Sequence, residues 1–192
     1  MKKLLCIAMV LIAALPLAFS QGKTITVRAL LPIDFGGTYR VSYSGGSTNT
    51  DTNMGFGLGA EAMVGVMSRM KVGVGLQYLI NRGNVDDDRT FGFVPVYGLV
   101  TYDFNLRAFD PYLIGRIGYN FHKGNDDYTN KGDSDLKGGL AFALGGGASF
   151  KIPSTPLHAF VELDYAYNGG QIDSTDISYR RLEALVGVSF TI

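Results

Sequence analysis

The sequence predicts an all-β fold, an eight-stranded antiparallel up-and-down transmembrane β-barrel preceded by a cleaved helical signal peptide. Three observations carry this expectation. An apolar leader opens the chain, period-two alternation fills nearly all that follows, and the connections alternate between short and long. Composition agrees. The 192 residues are 46% hydrophobic, too many for a disordered chain, and 26 are glycine, roughly twice the usual share. The 17 basic and 17 acidic residues give a formal charge of zero, so nucleic acid is not expected as a partner.

The leader spans residues 1–20. Met1-Lys2-Lys3 is basic, Leu4 to Phe19 is continuously apolar, and Ala18-Phe19-Ser20 offers small residues at the −3 and −1 positions of a cleavage site. The run is shorter than the ~20 residues of a membrane-spanning helix, and Pro16 interrupts it. Export by this signal peptide is therefore expected, with residues 21–192 forming one barrel domain. Removing Lys2 and Lys3 takes the basic count from 17 to 15 against 17 acids, and Cys6, the single cysteine, leaves with the leader.

Alternation then predicts eight strands, at 24–44, 54–66, 71–82, 90–104, 110–122, 138–151, 157–168 and 177–192. The first is the least regular. Its odd positions from Ile25 to Tyr43 stay apolar across Pro32 and Gly36-Gly37, so it is either one long kinked strand or a shorter strand leading into an extended loop. In the second, Phe56, Leu58 and Val64 oppose Gly57, Gly59 and Glu61. In the third, Val72, Val74, Leu76 and Tyr78 oppose Gly73, Gly75 and Gln77, with Leu79 as the exception. The fourth places Val94, Val96, Val100, Tyr102 and Phe104 on its apolar face. The fifth sets Leu113, Ile117 and Tyr119 against Arg116, Gly118 and Asn120. The sixth sets Leu140, Phe142, Leu144 and Phe150 against Ala141, Ala143, Gly145 and Gly147. The seventh and eighth repeat the split, with Glu162 and Asp164, then Arg181 and Glu183, on the polar face. Connections at 67–70, 105–109 and 152–156 are short, while 45–53, 83–89, 123–137 and 169–176 are longer and polar. An even number of meandering strands can close on itself.

The face of small and polar residues is too poor in charge for a water-exposed exterior and suits the crowded interior of a narrow barrel. The large apolar face then meets lipid, where every backbone polar group must be bonded inside the protein. Tyr102, Phe104, Tyr119, Phe121, Phe150, Tyr165 and Tyr167 near strand ends suit interfacial girdles.

Together these features resemble the small outer-membrane β-barrel family, which includes OmpX-like proteins and the transmembrane domain of OmpA. Tyr102-Asp103-Phe104 before a short turn and Pro111-Tyr112-Leu113-Ile114-Gly115 after it carry the likeness. So does Val186 to Ile192, which is similar to the C-terminal signal read by the barrel-assembly machinery. Such proteins usually end in Phe, whereas here Ile192 ends the chain and Phe190 lies two positions earlier; both are assigned to the assembly signal. The resemblance implies an outer-membrane location, contact with outer-membrane lipid and lipopolysaccharide or its equivalent, delivery by periplasmic chaperones to the assembly machinery, and a monomer.

By facing, the expected interior polar network is Glu61, Arg116, Glu162, Asp164, Arg181 and Glu183, with Lys71 and Lys151 near the short-turn end. His122 and His158 fall at opposite ends, so no catalytic residue is assigned; no metal ligand set or cofactor is expected. The long connections are acidic. Ten aspartates, among them Asp86, Asp87, Asp88, Asp126, Asp127, Asp133 and Asp135, face Arg89, Lys123 and Lys131. The resulting expectation is a non-catalytic barrel, structural or surface-interactive, meeting an extracellular or host ligand through acidic loops. The alternative is a narrow porin-like channel or a lateral-release pore for small solutes.

Overall fold

The computed structural model describes residues 24–43, 45–83, 90–104, 106, 109–124, 136–172 and 175–192. The expected leader at 1–20 lies outside the described residues. The strands are β1 (Ile25–Tyr43), β2 (Gly46–Asp51), β3 (Gly55–Met67), β4 (Met70–Gly83), β5 (Thr90–Asp103), β6 (Asp110–Gly124), β7 (Leu136–Lys151), β8 (Leu157–Ile172) and β9 (Thr175–Thr191). Each strand from β3 onward pairs antiparallel with the next, and β1 pairs with β9, so the sheet closes. β2 and β3 lie along the same edge of β1, which meets β3 over residues 25–34 and β2 over 38–43. The wall is therefore eight-stranded, its second strand broken between Asp51 and Gly55.

Two of the expected loops need correcting. The connection at 45–53 is not a loop throughout: Gly46–Asp51 form β2, and Thr52 ties the break to the wall, its amide donating to the Gly37 carbonyl at 3.0 Å while its hydroxyl accepts from the Gly37 amide at 3.0 Å. The segment 169–176 is likewise mostly strand, because β8 runs to Ile172 and β9 starts at Thr175.

The first strand is long and kinked, and its facing does not stay in phase. Up to Phe35 the odd side chains Val27, Leu31 and Phe35 point outward, while Arg28, Leu30 and Asp34 are buried. A bulge between Asp34 and Gly37, with Gly36 at φ +89°, inserts extra backbone into the pairing with β9. Because side chains alternate with a period of two, the bulge swaps the faces. Beyond it Tyr39 is buried and Val41 packs against buried neighbours, while Arg40 is exposed.

The exterior is apolar on β1 and on β3 to β9; Ile117 and Leu144, in the middle of this belt, are 65% and 66% exposed. A soluble monomer does not present apolar surface on that scale. Aromatic pairs border the belt. Tyr102–Phe104 (5.4 Å) and Phe109–Phe150 (6.2 Å) lie at the short-turn end, with Tyr119–Phe121 (5.0 Å) and Phe142–Tyr167 (5.0 Å) toward the other. Phe142 and Phe150, both on β7, are separated by about 20 Å of height at ~3.3 Å per residue and a tilt near 40°, comparable to the apolar band of outer-membrane barrels.

Candidate functional site: the filled lumen

The lumen is built in layers, and the register of the wall sets each one. Nearest the short turns is a polar bowl of about 130 Å³, lined in part by Thr26, Lys71, Thr101, Asp103, Asp110 and His158. Lys71 donates to Asp103 there. Lys151, expected near this end, is exposed.

Above the bowl lies an ion-pair network. Arg28 of β1 stands opposite Glu61 of β3 in the ladder and donates to it at 3.0 Å. The other arm of Arg28 donates to Glu162 at 2.9 Å and to the Tyr112 hydroxyl at 2.6 Å, and its guanidinium lies 3.7 Å from the centre of the Phe160 ring. Arg116 of β6 donates to Glu61 at 2.8 Å, lies 2.6 Å from a Glu162 oxygen, and also donates to Asp164. Tyr97 donates to Glu61 at 3.1 Å and Tyr112 to Glu162 at 2.8 Å. A second centre forms around Arg181, which donates to Glu183 at 2.7 Å and to Asn168 and lies 3.8 Å from Asp34.

Toward the loop end the lumen becomes apolar. Tyr39, Leu79, Phe93, Ile177 and Tyr179 form a buried cluster. Phe93 and Tyr179, both 0% exposed, stack at 5.5 Å with 9° between planes, and His122 packs edge-on against Phe93 at 4.6 Å. Two further clusters flank the charged layer: Met63 with Tyr97, Leu99, Tyr112 and Ile114, and Leu30 with Phe160 and Leu185. Glycine makes the room. A Cβ on Gly75 would stand 2.6 Å from the Tyr97 ring and 2.8 Å from Glu61, and one on Gly145 would collide with the Asp164 carboxylate.

Glu61, Arg116, Glu162 and Asp164 thus meet in one cluster, with Arg181 and Glu183 in a second. The sequence reading passed over Arg28 and Asp34. Their even positions, opposite Val27, Ala29 and Leu31, carry the signal, which is obscured because Tyr39, Val41 and Tyr43 extend the odd-position apolar phase past Gly36-Gly37. Asp86, Asp87, Asp88, Asp126, Asp127, Asp133 and Asp135 lie outside the described residues. Phe190 and Ile192 face outward at the short-turn end, where Ile25 and Ile192 exchange backbone hydrogen bonds of 2.9 and 2.8 Å. His122 lies near the Gly169 carbonyl (3.3 Å), and His158 in the bowl at the opposite end.

A closed sheet with an apolar exterior, two aromatic girdles and a core of paired charges defines a membrane-spanning β-barrel. The chain belongs to the outer membrane protein beta-barrel domain family, whose sequence profile matches residues 4–190. That membership places it in the outer membrane. Among solved structures, Neisserial surface protein A is 20% identical and superposes with a TM-score of 0.51, covering 86% of this chain and 96% of that one. Ail, the attachment invasion locus protein of Yersinia pestis, solved with the heparin analogue sucrose octasulfate, is 18% identical (TM-score 0.43; 88% and 99% covered). The N-terminal β-barrel domain of Pseudomonas aeruginosa OprF is 11% identical (TM-score 0.43; 85% and 97% covered). No curated protein matches the chain.

Proposed function

We propose that the protein is a closed, non-catalytic outer-membrane barrel that works through its outward-facing end rather than by conducting solutes. One observation carries this reading: the lumen is filled by two unlike layers in series, the Arg28–Glu61–Glu162–Arg116–Asp164 network and the cluster around Phe93 and Tyr179. A solute following the polar layer meets a buried aromatic layer above it. One crossing the aromatic layer meets charges already paired, whose separation is costly.

The working surface in this reading is the strand wall beyond the outer girdle with the acidic connections above it, meeting an extracellular or host partner. Loops on a rigid scaffold are the usual place for such recognition. Export by the 1–20 leader, chaperone-assisted delivery, recognition of Phe190 and Ile192 by the assembly machinery, and a monomeric state complete the proposal. Planar-bilayer recordings test it. Purified protein is expected to give no stepwise conductance, and Glu162→Gln is expected to leave it silent because the aromatic layer persists. Regular steps that Glu162→Gln alters would overturn the closed-barrel reading in favour of a narrow channel.

A further inference from the structure

The bowl at the short-turn end is walled by residues of β1 and of every strand from β3 to β9, so the barrel itself fixes its shape. Its volume of about 130 Å³ leaves room for several waters or one small solute. The polar groups lining it are not all matched. The Thr101 hydroxyl has no hydrogen-bond partner although the residue is only 3% exposed, and an unmatched buried hydroxyl is costly. Asp110, half-buried at the start of β6, has no ion-pair partner among the described residues. Ser149 stands directly opposite it in the ladder between β6 and β7.

Charge selects the occupant. Lys71 is taken by Asp103, so with His158 neutral Asp110 is a spare carboxylate. In the network beneath, Glu61, Glu162 and Asp164 face only the guanidiniums of Arg28 and Arg116, both already engaged. Both layers carry an excess of negative charge, and a cleft of one sign concentrates ions of the other. Among the described residues no group of three His, Asp or Glu is placed to hold a metal ion. An ammonium needs only acceptors for its three donors, which the Asp110 carboxylate and the Ser149 hydroxyl supply. Thr101, in contrast, stands directly opposite Lys71 in the ladder between β4 and β5. A second cation would be repelled there, whereas a hydroxyl bonds Thr101 without that cost. Thr101 faces Ile114, four residues along β6 from Asp110, which sets the two anchors about 13 Å apart between backbones at ~3.3 Å per residue. A short aliphatic chain with a polar group at each end spans that separation once the side chains and hydrogen bonds are added.

We infer that the bowl binds an aliphatic amino alcohol, its ammonium donating to Asp110 and Ser149 and its hydroxyl bonded to Thr101. Short turns face the periplasm in such barrels, so the ligand enters from that side. The site stands whether or not the lumen conducts. It is tested by titrating folded full-length protein in neutral-detergent micelles, at fixed ionic strength, with an aminopentanol bearing its two groups at opposite ends, with pentylammonium and with pentanol. Amide shifts at Thr101, Asp110 and Ser149 are read by NMR, and folding of each variant is checked by heat-modifiable gel shift. Saturable shifts are expected, with the amino alcohol bound on the order of tenfold more tightly than either analogue. Asp110→Asn is expected to weaken both amines on the order of tenfold. Thr101→Val, which keeps the shape of the side chain, is expected to erase the preference for the amino alcohol over pentylammonium. Asp176→Asn, exposed at the opposite end, is expected to change neither. Absence of saturable shifts, equal binding of the two amines by wild type, no loss in Asp110→Asn, a preference that survives Thr101→Val, or the same loss in Asp176→Asn would overturn the assignment.

Discussion

Arg116 illustrates how much one residue decides here. It serves Glu61, Glu162 and Asp164 at once, with 3% of its side chain exposed. Replacing it with Met leaves Asp164 buried without its arginine and Glu61 and Glu162 with Arg28 alone, and removing one partner of a buried pair costs about 3–5 kcal/mol. Lys71–Asp103 is a contrasting pair, 29% and 16% exposed in the bowl, where water shares the charge. Losing such a pair costs about 1 kcal/mol or less. Urea unfolding in detergent micelles should separate the two by several kcal/mol, Arg116→Met being severe and Lys71→Met mild; equal effects would mean that the network is not what anchors the wall. The polar partners on β3, β6, β8 and β9 were legible in the sequence, since a charge flanked by large apolar residues in an alternating strand has one place to go. Which cation meets which anion was not, because that depends on the stagger of the strands around the barrel.

At the scale of elements, the bulge in β1 is the informative feature. Gly36-Gly37 was legible as an interruption, but a pair of glycines does not say whether the side-chain phase survives it. A kink would have kept Tyr39 outside; an inserted residue turns it inward, beneath the stack of Tyr179 on Phe93. The β2 segment, Gly46–Asp51, escaped notice for a related reason. It is polar throughout, and becomes a strand because β1 beyond the bulge offers it a ladder. Space around individual glycines gives a direct test. A Cβ on Gly37 would lie 2.2 Å from the Arg180 carbonyl oxygen, whereas around Gly98 the nearest atoms are 3.9 Å away. Gly37→Ala is expected to lower the urea midpoint markedly or prevent folding. Gly98→Ala should stay within about 0.5 kcal/mol of wild type, as surface substitutions do.

For the whole molecule, the face that meets lipid is legible in the sequence, because Gly and Ala alternate with Leu and Phe along β7. The apolar plug was less visible. Leu79 stood out only as an exception, and Phe93, Tyr179 and Ile177 lie on strand halves whose partners are set by closure. A wall sealed in this way should migrate faster unheated than boiled in detergent gels and show strand-rich circular dichroism. Recovery as a water-soluble monomer without detergent would contradict the exterior described above.

The seam between β1 and β9 also dictates an order of events. It joins residues 165 positions apart, as in the Thr26–Thr191 hydroxyl pair, and runs through fifteen paired positions. Bringing such distant segments together costs about 4–5 kcal/mol of chain entropy, since that term grows only with the logarithm of length. Leaving the seam open in hydrocarbon would strand two rows of amides and carbonyls, at several kcal/mol for each unpaired group. The imbalance makes closure a late and nearly irreversible event. The first strand must wait, unpaired on that side, until the last has been synthesised, so its free edge stays open until the whole chain is available. A version ending before Thr175 should accumulate in the periplasm or be degraded rather than enter the membrane, which protease accessibility in cells would reveal.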